Sequence, residues 1–301
     1  MRSNSAANSA QAVALARAIE SARPESTRLF SDPFASGFLD AGPRTIARLC
    51  RIRGLGDAIL WFADAATPGA RGNTLGRTRF IDGALLAAID RGLDQVVILG
   101  AGYDCRPYRL PESSTVAVFE VDHPATQARK RARLKDLVPG MPDHVEFVPI
   151  DFNERSLADG MKGSAFRLGS RNFFIWEGVT EYLSSEAVES TFRFVVDVSA
   201  PGSLLAFTYT DRGLINGTKE FAGGRRLLAL NRLGGEPYSF GLDPTTLRDH
   251  LAARGLDLLE DIAGEGYQER YFTPLGRVLS GNEYERVALA RVRTDSARRP
   301  G

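Results

Sequence analysis

The residues best suited to chemistry fall at four places in chain order. Leu99-Gly100-Ala101-Gly102-Tyr103-Asp104 follows the apolar run Val96–Leu99, and Glu120-Val121-Asp122 closes the next apolar run. Pro149-Ile150-Asp151-Phe152 closes a third and Trp176-Glu177-Gly178-Val179 a fourth. Glycines directly after a strand let the backbone approach a ligand, and the helix N-terminus beyond them favours an anionic or polar group. A carboxylate at the end of the second strand, such as Asp122, can take both hydroxyls of a ribose. Asp151 can accept from an adenine amino group, with Phe152 beside the ring. Any one polar residue at a strand end is ordinary, because the chain is leaving the core there. The ordered set Gly100/Gly102, Asp122, Asp151 and Glu177 along one sheet edge instead describes a crevice for a nucleoside-containing cofactor.

Other chemistries are poorly supplied. A dinucleotide fingerprint wants a third glycine where this chain has Cys105, and Arg106-Pro107 delays the next helix, which counts against a nicotinamide oxidoreductase. Cys50 and Cys105 follow no metal-ligand spacing, and His123, His144 and His250 are scattered, so no metal site is expected. His123 reads as a cap or core residue and Cys105 as a small loop-packing residue.

The elements that must position these residues follow from periodicity. A helix is expected from about residue 9 to 21, ahead of the break Arg23-Pro24, with residues 1–8 frayed. Ser31-Asp32-Pro33 reads as the start of a short helix carrying Phe34 and Phe38. Between Asn73 and Arg91, the apolar residues Ile81, Ala84, Leu85, Ala88 and Ile89 mark one helix face, closed by Gly92. Short apolar runs then alternate with helical stretches: Val96–Leu99, Val116–Val121, Val145–Ile150, Phe173–Trp176 and Leu204–Phe207. Strands buried on both faces and separated by helices predict a parallel α/β sheet. Residues 211–242 are rich in glycine and mixed charge and read as a lid insertion. Leu256–Ile262 and Tyr284–Val292 read as two closing strands. The whole is one domain: a helical cap (1–92), a Rossmann-like core (93–210 and 243–293), the lid (211–242) and a tail (294–301).

Composition narrows the partners. Lys plus Arg is 38 and Asp plus Glu 37 in 301 residues, a net charge of +1 that gives no field for steering toward nucleic acid or an anionic membrane. The bases are 34 Arg and 4 Lys, a skew that points to a GC-rich genome rather than to a phosphate-binding surface. No run of about 18 apolar residues occurs, and the polar start Met1-Arg2-Ser3-Asn4-Ser5 lacks a signal core. The expectation is a cytoplasmic protein with no membrane or nucleic-acid partner.

The chain also resembles the leucine carboxyl methyltransferase family, in its bacterial branch of S-adenosylmethionine-dependent, polyketide-type O-methyltransferases. The resemblance runs from about Ala14 to Val292. It is carried by Ala22-Arg23-Pro24-Glu25, Leu29-Phe30-Ser31-Asp32-Pro33-Phe34-Ala35 and Arg77-Thr78-Arg79-Phe80-Ile81-Asp82. Further motifs are Leu99 to Arg106, Phe119-Glu120-Val121-Asp122-His123-Pro124, Trp176 to Leu183, Gly235-Glu236-Pro237 and Phe240-Gly241. It implies the Rossmann-like class I methyltransferase fold, a mostly parallel seven-stranded sheet with helices on both faces. It implies S-adenosyl-L-methionine as cofactor: Arg79 on the methionine carboxylate, Gly100 and Gly102 against the methionine portion, Asp122 on the ribose, Asp151 and Phe152 facing adenine, and Glu177 near the amino group. Tyr182 is equally a candidate acceptor contact or a core aromatic.

The implied reaction is O-methylation of a small-molecule acceptor. The shortage of histidines favours a carboxylate or an acidic hydroxyl, and Arg17, Arg23 or Arg28 could hold an anionic substrate. A homodimer is compatible with the sequence. The competing readings are a nicotinamide-dependent oxidoreductase and a protein that binds S-adenosylmethionine without turnover.

Overall fold

Five apolar runs become the parallel strands of one sheet in the computed structural model, which describes residues 3–151 and 155–294. β1 (Gln95–Leu99), β2 (Ala117–Asp122), β3 (Val145–Pro149), β4 (Asn172–Trp176) and β5 (Leu204–Thr210) lie in the order β3-β2-β1-β4-β5. β6 (Leu256–Ile262) and β7 (Glu285–Val292) complete seven strands, with β7 antiparallel between β5 and β6. Every residue of β1 and β4 is buried, which is why both read as unbroken apolar runs. The strand order reverses between β1 and β4, and a crevice opens at the carboxyl ends of strands at such a point.

Side chains alternate across the sheet and feed two cores. Val97, Leu99, Phe119, Phe174 and Trp176 pack on one face, and Val96, Ile98, Val118, Phe173 and Ile175 on the other. The first face is covered by α7 (Ser185–Asp197) and α9 (Leu247–Ala252). The second is covered by α4 (Ala70–Asp90), whose Leu75, Ile81, Leu85 and Ala88 are buried. α5 (Pro124–Leu137) and α6 (Leu157–Met161) connect strands, and α8 (Gly224–Leu233) lies in the segment 211–242.

The N-terminal segment differs in detail from expectation. α1 spans Ser3–Ser21, starting well ahead of residue 9. The expected helix after Asp32 is a single turn, Ala35–Phe38, with the Asp32 carboxylate accepting from the backbone N–H groups of Phe34 and Ala35. α2 (Ala41–Leu49) and α3 (Leu55–Ala66) follow. A third apolar cluster joins Ala14 of α1, Phe38, Tyr103 after β1 and Leu134 of α5, with the Phe38 and Tyr103 rings stacked at 4.9 Å. That cluster holds α1 over the carboxyl ends of the strands.

Between β6 and β7 the chain forms further helical turns, Gly264–Tyr267 and Gln268–Phe272, whose Tyr267 and Phe272 join the core beneath α4. No periodic pattern marks these turns in the sequence. Among the described residues no helix is long and apolar enough to cross a membrane. No group of three or more His, Cys, Asp or Glu among them is arranged to hold a metal ion. The expected tail lies outside the described residues from position 295 onward.

Candidate cofactor and acceptor site

The turn after β1 is built around two glycines in the left-handed region, Gly100 at φ +69° and Gly102 at φ +44°. A Cβ on Gly100 would sit 2.4 Å from Val179 Cγ2, so a side chain is excluded by contact as well as by conformation. The tightened turn aims the Gly102 N–H at Asp122 Oδ2, 2.5 Å away, while Asp122 Oδ1 accepts from the His123 N–H at 2.6 Å. Both oxygens are thus fixed by backbone and keep lone pairs toward the cavity. Burial pushes the Asp122 carboxyl above its ordinary range, against the pull of those two bonds.

His123 caps α5, its Nδ1 accepting from the Ala125 N–H at 3.1 Å, and its Nε2 lies 3.4 Å from Asp151 Oδ2. Asp151 lines the same cavity as Asp122. Phe152 lies outside the described residues. Cys105 is buried, with its thiol on the Tyr103 carbonyl, as a packing residue would be.

Glu177, at the end of β4, is gripped from two sides. Arg77 Nε donates to Oε1 at 2.9 Å, and Arg106 Nη1 lies 2.9 Å from Oε2. Arg106 also donates to Asp82 on α4 at 2.8 Å. Burial opposes ionisation of Asp104 in the same network, but Arg106, Lys130 and Arg17 outweigh it and hold that carboxyl down at about 2. Burial likewise opposes charge on Arg77, yet Glu177, Glu285 and Glu181 more than compensate and hold the guanidinium charged.

Arg79 requires a correction. It does not reach this cavity. It lines a separate one at the amino ends of the strands, with Gly92, Asn172 and Leu204, and its guanidinium lies over the Tyr271 ring at 5.8 Å. The cause is helical geometry. Successive residues turn by about 100°, so Arg77, four before Ile81, shares the buried face that Arg79 leaves. The periodicity of Ile81, Leu85 and Ala88 is the sequence signal that selects Arg77.

The remaining wall comes from α1, the turn after β4, residues 231–238 and β7. Ser9, Val13, Glu181, Tyr182, Asn231, Glu236, Tyr238 and Glu285 line one cavity of about 520 Å³ with the residues above. The Tyr182 and Tyr238 rings meet edge to face at 5.3 Å, and Tyr238 donates to Glu285 Oε1 at 3.2 Å. Glu181 is buried, and burial pushes its carboxyl up to about 7 despite the opposing Arg77. Arg77, Glu181, Glu236, Tyr238 and Glu285 were not singled out from the sequence. Arg17, Arg23 and Arg28 are each engaged by an acid, Asp32, Glu20 and Glu25 respectively, so none is a free anion clamp.

The sheet order and its solved likenesses define the class. A crystal structure of a putative methyltransferase from Thermobifida fusca superposes with a TM-score of 0.60 at 14% identity, over 93% of this chain and 94% of that one. A DUF574 family protein from Streptomyces avermitilis gives 0.54 at 14% identity, over 92% and 96%. The fold is the Rossmann-like class I methyltransferase fold.

The sequence comparison is narrower. The leucine carboxyl methyltransferase profile matches residues 10–196, and the chain belongs to that family. A Bacillus subtilis protein described as a putative S-adenosyl-L-methionine-dependent methyltransferase is 30% identical over 200 residues, 66% of each chain. A Mycolicibacterium gilvum protein of the same description is 36% identical over 201 residues, 65% of this chain and 64% of that one. The chain therefore spans just under two thirds of the length of these relatives.

Proposed function

We propose that the protein is an S-adenosyl-L-methionine-dependent methyltransferase that O-methylates a small molecule. The observation that carries this reading is the Asp122 carboxylate, locked by the Gly102 and His123 N–H groups at the mouth of the glycine turn. A carboxylate so oriented suits a vicinal diol such as a ribose. The cavity of about 520 Å³ is in the range that holds a small ligand. Asp151 would face the adenine amino group, Gly100 and Gly102 the methionine chain, Glu177 its amino group and Arg77 its carboxylate. The cofactor brings an already electrophilic methyl group, so the chain's task is to align an acceptor and exclude water. Tyr182 and the lid residues Asn231, Glu236 and Tyr238 stand at the acceptor end. Their closure over the strand ends, together with α1, favours a small molecule over a protein chain.

Calorimetric titration with S-adenosylhomocysteine tests the reading. The expected result is micromolar binding that Asp122→Ala weakens by roughly 10- to 100-fold, as for loss of charge-assisted hydrogen bonds. Arg77→Ala should weaken it by a similar factor, and Arg79→Ala should leave it unchanged. Absence of binding to the folded wild type would overturn the reading.

A further inference from the structure

The acceptor end of the cavity is acidic and carries open hydrogen-bonding groups. Glu181, Glu236 and Glu285 line it; of the arginines lining the same cavity, Arg77 is committed to Glu177 and Arg17 to Asp32, and Arg129 stands on α5 beside the Asp122 turn. Glu236 is only 6% exposed. Its Oε2 accepts from Ser9 Oγ, but its Oε1 is buried with no hydrogen-bond partner among the described residues. The buried Nδ2 of Asn231 has none either. One wall thus holds an unused acceptor and an unused donor, and a buried polar group left unpaired is costly. That cost is recovered by a ligand group able both to donate and to accept.

Glu181 is equally buried, at 6% exposed. Its carboxyl takes a long bond from Thr180 Oγ1 at 3.3 Å and one from its own backbone N–H. It is faced by Arg77 from α4, by Glu285 from β7, by Tyr182 on its own turn and by Tyr238 from the lid, with Glu236 beyond Tyr182. Besides those two bonds, its charge supports the Arg77 guanidinium, behind Glu177 and Glu285.

We infer that Glu181 is the general base for an acceptor hydroxyl, and that the acceptor is a neutral phenol or alcohol whose second polar group is held by Asn231 and Glu236. The inference rests on the methyltransferase reading above and, of the carboxylate and the acidic hydroxyl left open by the scarcity of histidines, takes the hydroxyl. An anionic acceptor would enter beside three acids, and like charges so placed repel it. A hydroxyl enters neutral and donates to Glu181. As the acceptor oxygen bonds to the methyl carbon, its proton passes to Glu181. The methyl–sulfur bond breaks with its electron pair kept by sulfur. A carboxyl held up at about 7 is matched to that task near neutrality.

Two probes that differ in one group test this, 4-hydroxybenzamide and 4-carbamoylbenzoate, both at saturating S-adenosyl-L-methionine with a labelled methyl group. The hydroxybenzamide should be methylated and the carboxylate should not. Its kcat/KM should rise with pH through about 7 and then level. Glu181→Gln should lower kcat by about 100-fold at pH 8 and remove the rise, with affinity for S-adenosylhomocysteine within about twofold of wild type. A structural role would move that affinity but not the pH profile.

Calorimetry on the S-adenosylhomocysteine complex gives a readout free of turnover. There, Glu236→Gln and Asn231→Ala should each weaken hydroxybenzamide binding about tenfold, the worth of one hydrogen bond. Methylation of the carboxylate at the same rate, an unimpaired Glu181→Gln, or no hydroxybenzamide binding to the loaded protein would each overturn the inference. Failure of S-adenosylhomocysteine to bind wild type would instead overturn the cofactor reading beneath it.

Discussion

At the scale of single residues, two carboxyls respond to burial in opposite ways because their neighbours differ. Asp104 has three cations around it and is held down at about 2. Glu181 faces Glu285 as well as Arg77 and is pushed up to about 7. The consequence for stability has a definite sign. The folded state keeps the Glu181 proton to higher pH than the unfolded chain, whose glutamates titrate near ~4.3. Its contribution is therefore full in acid and is lost as pH rises through about 7. Glu181→Gln should flatten that fall, so the variant gains on wild type by up to ~3 kcal/mol between pH 4 and pH 8. Urea unfolding at the two pH values reads the difference directly, and an unchanged difference between the proteins would count against a buried, raised carboxyl. Asp104 works the other way. Its contribution is present above ~3.9 and is lost as pH falls toward about 2.

At the scale of elements, α5 is tied to the sheet by a charge pair with almost no solvent access. Lys130 Nζ lies 2.7 Å from Glu120 Oε2, with side chains 1% and 0% exposed, and Tyr108 donates to Glu120 Oε1 at 2.9 Å. Burial pushes the Glu120 carboxyl upward even with Lys130 beside it. Lys130→Met leaves that carboxyl without its partner and should cost about 3–5 kcal/mol, whereas the double change Lys130→Met with Glu120→Gln should recover much of the loss. Denaturant midpoints of the three proteins decide this. A single-variant cost under about 1 kcal/mol would mean that packing, not the pair, holds α5.

At the scale of the whole molecule, the sheet and the N-terminal cap are held to different degrees. β1 and β4 are buried throughout, whereas in α3 only Gly56 is buried, and Trp61 and Phe62 stand 65% and 67% exposed. Amide exchange should therefore be slowest in β1, β4 and β5 and fastest across α3. The two tryptophans provide a second view, since Trp176 is 1% exposed at the end of β4. Emission of Trp61→Phe should be blue-shifted when native and move red only on global unfolding. Emission from Trp176→Phe should already be red when native. Equal protection of α3 and β1 would contradict the division.

Much of the fold is local and so was legible in the chain. The five parallel strands and the two closing strands fall close to the apolar runs that predicted them, because a strand buried on both faces must be apolar at every position. Gly100, Gly102, Asp122, Asp151 and Glu177 announced one sheet edge, and the structure brings them to one cavity. Arg77 was legible too, through the period of α4, although the motif drew attention to Arg79. The helical turns between β6 and β7 were not legible, since they are short and are fixed by Tyr267 and Phe272 packing under α4. Nor was the acid wall. Glu181, Glu236 and Glu285 belong to three distant stretches of sequence, and each alone reads as a solvated surface charge. Only the packing of residues 231–238 and the start of β7 beside the turn after β4 brings them to one cavity, with Glu181 and Glu236 buried there.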